Sequence, residues 1–312
     1  MSGRLYFAAQ AIAGAAWWIA VFALPFVREA TLGGLDPVIV AIFDIPLFVC
    51  ASALAALGWR VAAIVATAWT ILVTGGMAVY ATLTGEAGWG VLFMAAATVG
   101  SVIALCLILF GRVPTEWIVS FGPFSFRPAA PRAGTFAHVA ATAVQIVIFW
   151  GTFLAVIPLI ITFLERQWRL AVSFPSIAWP LGVVVLVIAS ALGLWSAVAM
   201  STKGGGTPLP AAMANRLVVV GPYRFVRNPM ALAGITQGVA IGLMLSSWLV
   251  IAYAIAGSLV WNYAVRPLEE ADLERRFGDE FRRYRTSVRC WWPRPMMPRA
   301  AGSGRLRQPT GR

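Results

Sequence analysis

Apolar runs long enough to cross a lipid bilayer recur along this chain, and they constrain its fold more than any other feature. A run of ~20 apolar residues spans ~30 Å of hydrocarbon as a helix. Such runs lie near Leu5–Val27, Asp36–Gly58, Val61–Leu83, Trp89–Gly111, His138–Phe163 and Pro175–Met200, with a closing pair near Pro229–Ser246 and Ser247–Val265. Only helices and closed barrels satisfy every backbone polar group in lipid, and runs of this length are helical. The predicted fold is therefore all-α: a polytopic integral membrane bundle of about eight transmembrane helices. With 60% hydrophobic and 12% charged residues among 312, the composition agrees. Met1-Ser-Gly-Arg-Leu leads into the first span without a clear Ala-x-Ala site and reads as a retained helix, not a signal peptide.

Charge sets the expected orientation. With the N-terminus inside, the inner segments hold Arg4, Arg60, Arg112, Arg127, Arg132, Lys203, Arg216, Arg224 and Arg227. The outer loops hold only Arg28, Arg166 and Arg169. Both termini are expected in the cytoplasm, in a plasma membrane of bacterial type. From Arg266 onward there are 12 Lys/Arg against 6 Asp/Glu. Next to a span, that excess points to anionic lipid headgroups and not to nucleic acid. Cys50, Cys106 and Cys290 have no disulfide or metal-ligand spacing, and His138 is the sole histidine, which excludes a multi-histidine metal centre.

Within the spans, Asp44 stands just before Pro46; an intramembrane carboxylate is either functional or paired with a neighbouring helix. Gln145 and Gln237 read as interhelical hydrogen-bonding groups, and Trp17, Trp18, Trp89 and Trp248 as headgroup-level belts. The stretch Phe121–Pro128 reads as an irregular interfacial segment, either a linker or a cap over a substrate entrance.

Polar chemistry concentrates in two clusters. Arg216–Pro229 joins a turn, a tyrosine and two arginines to a helix start. Gly221 permits positive φ and Pro222 fixes the next residue. Asn228 is the expected N-cap with Pro229 at the first helical position. Tyr223, Arg224 and Arg227 are thus presented at a helix N-terminus, either to a carboxylate or phosphate or simply to headgroups. The second cluster follows Pro267. Leu273, Phe277, Phe281, Tyr284 and Val288 fall on one face of an amphipathic helix, flanked by Glu269 and Glu270 and by arginines that reach headgroups. The paired acids either bind a cationic or hydroxyl-bearing ligand or complement the helix dipole.

Gly221-Pro-Tyr-Arg-Phe-Val-Arg-Asn-Pro229, a hydrophobic helix pair, and then Glu269-Glu270-x-x-Leu273-x-x-x-Phe277-Gly278-x-x-Phe281-x-x-Tyr284 resemble the isoprenylcysteine carboxyl methyltransferase family and, with it, the phospholipid N-methyltransferases. The Gly206-Thr-Pro-Leu-Pro210 loop is similar to that of bacterial members. The resemblance covers roughly Lys203 to Pro293. It implies an S-adenosylmethionine-dependent methyltransferase in the membrane, acting on a lipid or lipophilic acceptor (a carboxylate, amine, phenol or thiol). It assigns Gly221, Pro222, Tyr223, Arg227, Asn228, Pro229, Glu269 and Glu270 to the cofactor pocket. Glu269 or Glu270 would take the cofactor's amino group or ribose hydroxyls and Arg227 its carboxylate. Arg224 would orient an anionic substrate group, making Arg224, Arg227 and Glu270 the candidate catalytic residues. Three departures stand out: Asn228 where many members have His, Ala231 in place of an aromatic, and Cys290 in place of Arg. Ala231 and Cys290 favour a rival reading, a non-catalytic membrane binding or assembly protein that keeps the fold, whereas the intact paired glutamates and Gly221-Pro-Tyr223 favour the methyltransferase. A sterol-reductase-like NADPH enzyme and a transporter using Asp44 are further alternatives. The expected organisation is a transmembrane scaffold over residues 1–200, a cofactor-binding region over 201–293, and a disordered basic tail over 294–312.

Overall fold

Small residues decide how closely these helices approach. With no hydrophobic drive between helices in lipid, packing at Ala, Gly, Ser and Thr holds a bundle together. The computed structural model describes residues 2–117, 135–204 and 215–293, and every regular element there is helical. Ala55, Ala63 and Ala66 are fully buried with Phe7 and Ala104, while Ile12, Val61 and Leu83 are more than 70% exposed. Large apolar side chains facing outward and alanines facing inward are the arrangement for a lipid solvent. Among the described residues, seven helices are long and apolar enough to cross a membrane.

The N-terminal group comprises α1 (Ser2–Ala23), the short α2 (Pro25–Leu32), α3 (Pro37–Ala56), α4 (Arg60–Thr84) and α5 (Gly88–Phe110). Here α1 packs on α3 and α5, and α4 lies along α5. The first span stops at Ala23 instead of running to Val27, because Pro25 has no N–H to continue it and instead opens α2. In α3, Pro46 has the same defect, and the helix widens into a π turn over Ile45–Cys50.

The C-terminal group begins with α6 (residues 135–167), whose two α-helical parts, Thr135–Phe149 and Ile157–Gln167, flank a π turn. It continues with α7 (Ala178–Lys203), α8 (Pro229–Leu245) and α9 (Trp248–Val260). α7 packs along α8, and α8 along α9. As expected, Gln237 donates across helices, to Ser190 Oγ at 3.1 Å; Gln145 Oε1 is buried without a partner among the described residues. α8 has 17 residues, ~26 Å of rise, so the expected span Pro229–Ser246 is a shorter helix beside the seven long ones among the described residues. Its hairpin to α9 turns at Ser246, in left-handed conformation, and Ser247 caps α9 by accepting from the Val250 N–H at 3.1 Å.

α9 does not end at the membrane surface. It runs through a π turn, Trp261–Val265, into α10 (Arg266–Ser287), 40 residues in all with one kink. The stretch before the kink alone rises ~45 Å at 1.5 Å per residue, more than the hydrocarbon thickness. Charge begins at Arg266, so the lipid-embedded part ends at Val265. At Gly278 φ is +49° and the helix kinks. Phe281, Tyr284 and Val288 beyond the kink pack with Leu273 and Phe277 before it and with Leu217, so the expected apolar face exists with a bend in it.

The two groups meet at one end. Gln167 donates to the Thr82 carbonyl at 2.8 Å, Trp168 Nε1 to Thr82 Oγ1 at 3.0 Å, and Trp89 stacks on Trp248. Trp18, 4% exposed, faces the protein and donates to Asp44, while the half-buried Trp17 donates to Thr31 Oγ1. Phe121–Pro128, Gly206–Pro210 and the 294–312 tail lie outside the described residues.

Candidate cofactor site

The segment between α7 and α8 is shaped by Gly221. Its φ of +58° is left-handed, and a Cβ there would sit 3.2 Å from the Trp195 indole nitrogen. Pro222 then sets a single 3-10 turn, Gly221–Arg224. The turn buries Tyr223, whose carbonyl accepts the Tyr284 hydroxyl at 2.7 Å. Burial first, and the charge of Glu269 second, hold the Tyr223 phenol well above its ordinary value, so it stays a neutral hydroxyl.

Arg227 fastens this turn to α10 and to the chain beyond it. Its guanidinium donates to Glu270 Oε1 at 3.0 Å and to the Arg285 carbonyl at 3.2 Å, and its backbone N–H donates to the Arg289 carbonyl at 3.0 Å. Trp291 Nε1 reaches Asn262 Oδ1 at 3.0 Å from the same C-terminal segment. Asn228 occupies the N-cap position of α8, but its side chain does not cap; Nδ2 turns to Cys290 Sγ, 3.5 Å away. Two of the three departures from the resembled family's pattern therefore touch each other. Ala231, the third, lines the cavity.

That cavity has a volume of about 110 Å³. That is smaller than the ~300–1,000 Å³ usual for a whole small-molecule site. Five sequence-selected residues line it: Tyr223, Arg227, Asn228, Pro229 and Glu269. The other four do not. Gly221 and Pro222 shape the turn, Glu270 pairs with Arg227, and Arg224 points to the exposed side. Sequence reasoning missed Met200, Arg216 and Trp261 as lining residues and left Leu273, Phe277 and Tyr284 as mere packing. Trp261 was detectable only by treating α9 and α10 as one helix, two turns from Trp261 to Glu269. Pro267 suggests a helix start there, yet the π turn at Trp261–Val265 absorbs its missing N–H.

Three residues that line the cavity each carry a buried polar atom without a partner among the described residues: Glu269 Oε2, Trp261 Nε1 and Arg227 Nε. One is an acceptor and two are donors. Unsatisfied buried groups cost ~1–3 kcal/mol each, more when charged, and call for a ligand or water. Burial, then the charges of Glu270 and Asp272, push the Glu269 carboxyl up to about 7. Beside Met200, Met230, Leu273 and Phe277, this set fits an amphiphilic ligand that brings both donors and acceptors.

Residues 177–280 match the family model described as phospholipid methyltransferase. The match takes in α7, α8, α9, the Gly221 turn and both glutamates, about a third of the chain, and makes this region similar to membrane methyltransferases. Helices α1 to α6 lie outside it. No curated protein and no solved structure matches the chain.

Proposed function

We propose that residues 177–293 form an S-adenosylmethionine-dependent methyltransferase site that opens to the cytoplasm and acts on a lipid or lipophilic acceptor. The observation that carries this reading is that Glu269, Trp261 and Arg227, each holding a buried polar atom without a partner among the described residues, line one cavity. S-adenosylmethionine, when bound, supplies a methyl group on a sulfonium for in-line transfer, with a neutral thioether as leaving group. Glu269 accepts from the ammonium or ribose hydroxyls, and Trp261 Nε1 and Arg227 Nε donate to the carboxylate. The Phe277 and Tyr223 rings offer π faces that favour a cation. Glu270 is a positioning residue, holding Arg227 through their 3.0 Å pair. Arg224, exposed at the turn, meets anionic headgroups or an anionic group of the acceptor. Met200, Met230 and Leu273 exclude water, and orientation in a dry pocket supplies much of the acceleration. A carboxylate acceptor has no proton to lose and an amine acceptor need only arrive unprotonated, so neither requires a histidine base.

The test is calorimetric titration of detergent-solubilised protein with S-adenosylmethionine, using Glu269→Gln and Glu270→Gln. Saturable binding that weakens about tenfold or more in Glu269→Gln is expected. A folded protein that binds none at millimolar cofactor would instead be a non-catalytic membrane module, the reading that the cavity-lining Ala231 and the Asn228–Cys290 contact favour.

A further inference from the structure

The N-terminal bundle contains a larger cavity, about 560 Å³, between α1, α3, α4 and α5. Its volume falls within the ~300–1,000 Å³ range of small-molecule sites. Phe48, Val73, Met77, Phe93 and Met94 give it apolar walls. The polar side chains on those walls are occupied within the fold. Gln10 bonds Ser52 and Ser101, Thr31 bonds Trp17 and the Val27 carbonyl, and the Tyr6 hydroxyl donates to the Ala97 carbonyl.

Among the described residues Asp44 is the one charged side chain lining this space, and it is 5% exposed. The π turn that follows it begins at Ile45. Its two oxygens each accept one indole N–H, from Trp69 at 2.7 Å and from Trp18 at 2.9 Å. Both donors are neutral, and among the described residues no Lys or Arg pairs with Asp44. A carboxylate oxygen has a second acceptor position. A buried carboxylate without a counter-charge is costly in an apolar medium, and a cation relieves that cost. A hydrated inorganic ion finds one carboxylate here and no cage of further oxygens. An alkylammonium finds both a counter-charge and apolar walls.

We propose that this cavity is a second ligand site, which takes a lipophilic ammonium cation with Asp44 as its counter-ion. The site lies outside the segment matched as a methyltransferase and does not rest on that reading.

The test uses full-length protein in nanodiscs, tritiated decylamine, and scintillation proximity to read the protein-bound fraction. One saturable site per chain is expected, with decanol competing about tenfold or more weakly than unlabelled decylamine. Asp44→Asn should lose affinity by about tenfold or more, and Ala13→Phe, which fills the cavity at an unbonded wall position, should abolish binding. Saturating S-adenosylmethionine should displace nothing. Equal competition by decanol, an indifferent Ala13→Phe protein, displacement by S-adenosylmethionine or the absence of a saturable component would each overturn the proposal. If Asp44→Asn does not fold, the amine-to-alcohol ratio and Ala13→Phe decide.

Discussion

Asp44 on α3 and Glu269 on α10 are both carboxylates set against apolar walls, one in each half of the molecule, yet their surroundings are built on opposite plans. Asp44 has a donor on each oxygen, both supplied by neighbouring helices. Glu269 has a buried oxygen with none, and burial, then two acidic neighbours, push its carboxyl up to about 7. A carboxylate whose hydrogen bonds are completed by the fold lacks only a counter-charge. One left incomplete lacks hydrogen-bond donors as well. The first arrangement suits a cation with a greasy body, and the second a polar ligand that brings its own N–H and O–H groups.

The comparison can be broken most severely at Arg227. Arg227→Ala leaves Glu270 unpaired and frees the Arg285 carbonyl, and removing one partner of a largely buried pair costs about 3–5 kcal/mol. Thermal unfolding should fall accordingly, while hydrogen exchange in α1 to α5 stays unchanged; a loss spread over both halves would show that they are not separate units. Trp69→Phe removes the shorter donor to Asp44, worth about 1.5–3 kcal/mol for a hydrogen bond to a charged group. It should loosen the N-terminal bundle and leave S-adenosylmethionine affinity alone. Equal damage to that affinity would tie the two sites together. The smallest effect sharpens the contrast. With its carboxyl at about 7, Glu269 is mostly protonated at pH 6 and mostly ionised at pH 8. A cationic ammonium needs the ionised form, so cofactor affinity should rise about tenfold across that window. The Glu269→Gln protein should show a flat profile, and a slope that survives the substitution would assign the titration elsewhere.

Most of the architecture is legible in the sequence because hydropathy in lipid is a strong and local signal. The face of Leu273, Phe277, Phe281, Tyr284 and Val288 is likewise a local pattern, and it holds. Prolines were harder. Pro25 ends a helix, whereas Pro46 and Pro267 are absorbed by π turns, and only tertiary packing separates these outcomes. At the site, the residues of the turn and Glu269 are nameable from the motif, but which glutamate faces the cavity depends on the rotation of α10. The partners of Asp44 are distant in sequence, and an indole inside a span looks the same on paper as one at the headgroups. The side chain of Asn228 is a similar case: capping is its local preference, and Cys290, brought back by the Arg227–Arg289 backbone pairing, offers a competing contact.

The placement of the two tryptophans around Asp44 also bears on biogenesis. Trp18 precedes Asp44 by 26 residues and Trp69 follows it by 25. A charged residue at mid-span costs ~2.5–3.5 kcal/mol on insertion scales, which the otherwise apolar α3 outweighs. When α3 enters the bilayer, α1 is already in place with one donor. The second donor follows 25 residues behind Asp44, and at roughly 5–20 residues per second it emerges about one to five seconds later. During that interval the carboxylate rests on a single indole, and the arrival of α4 locks it.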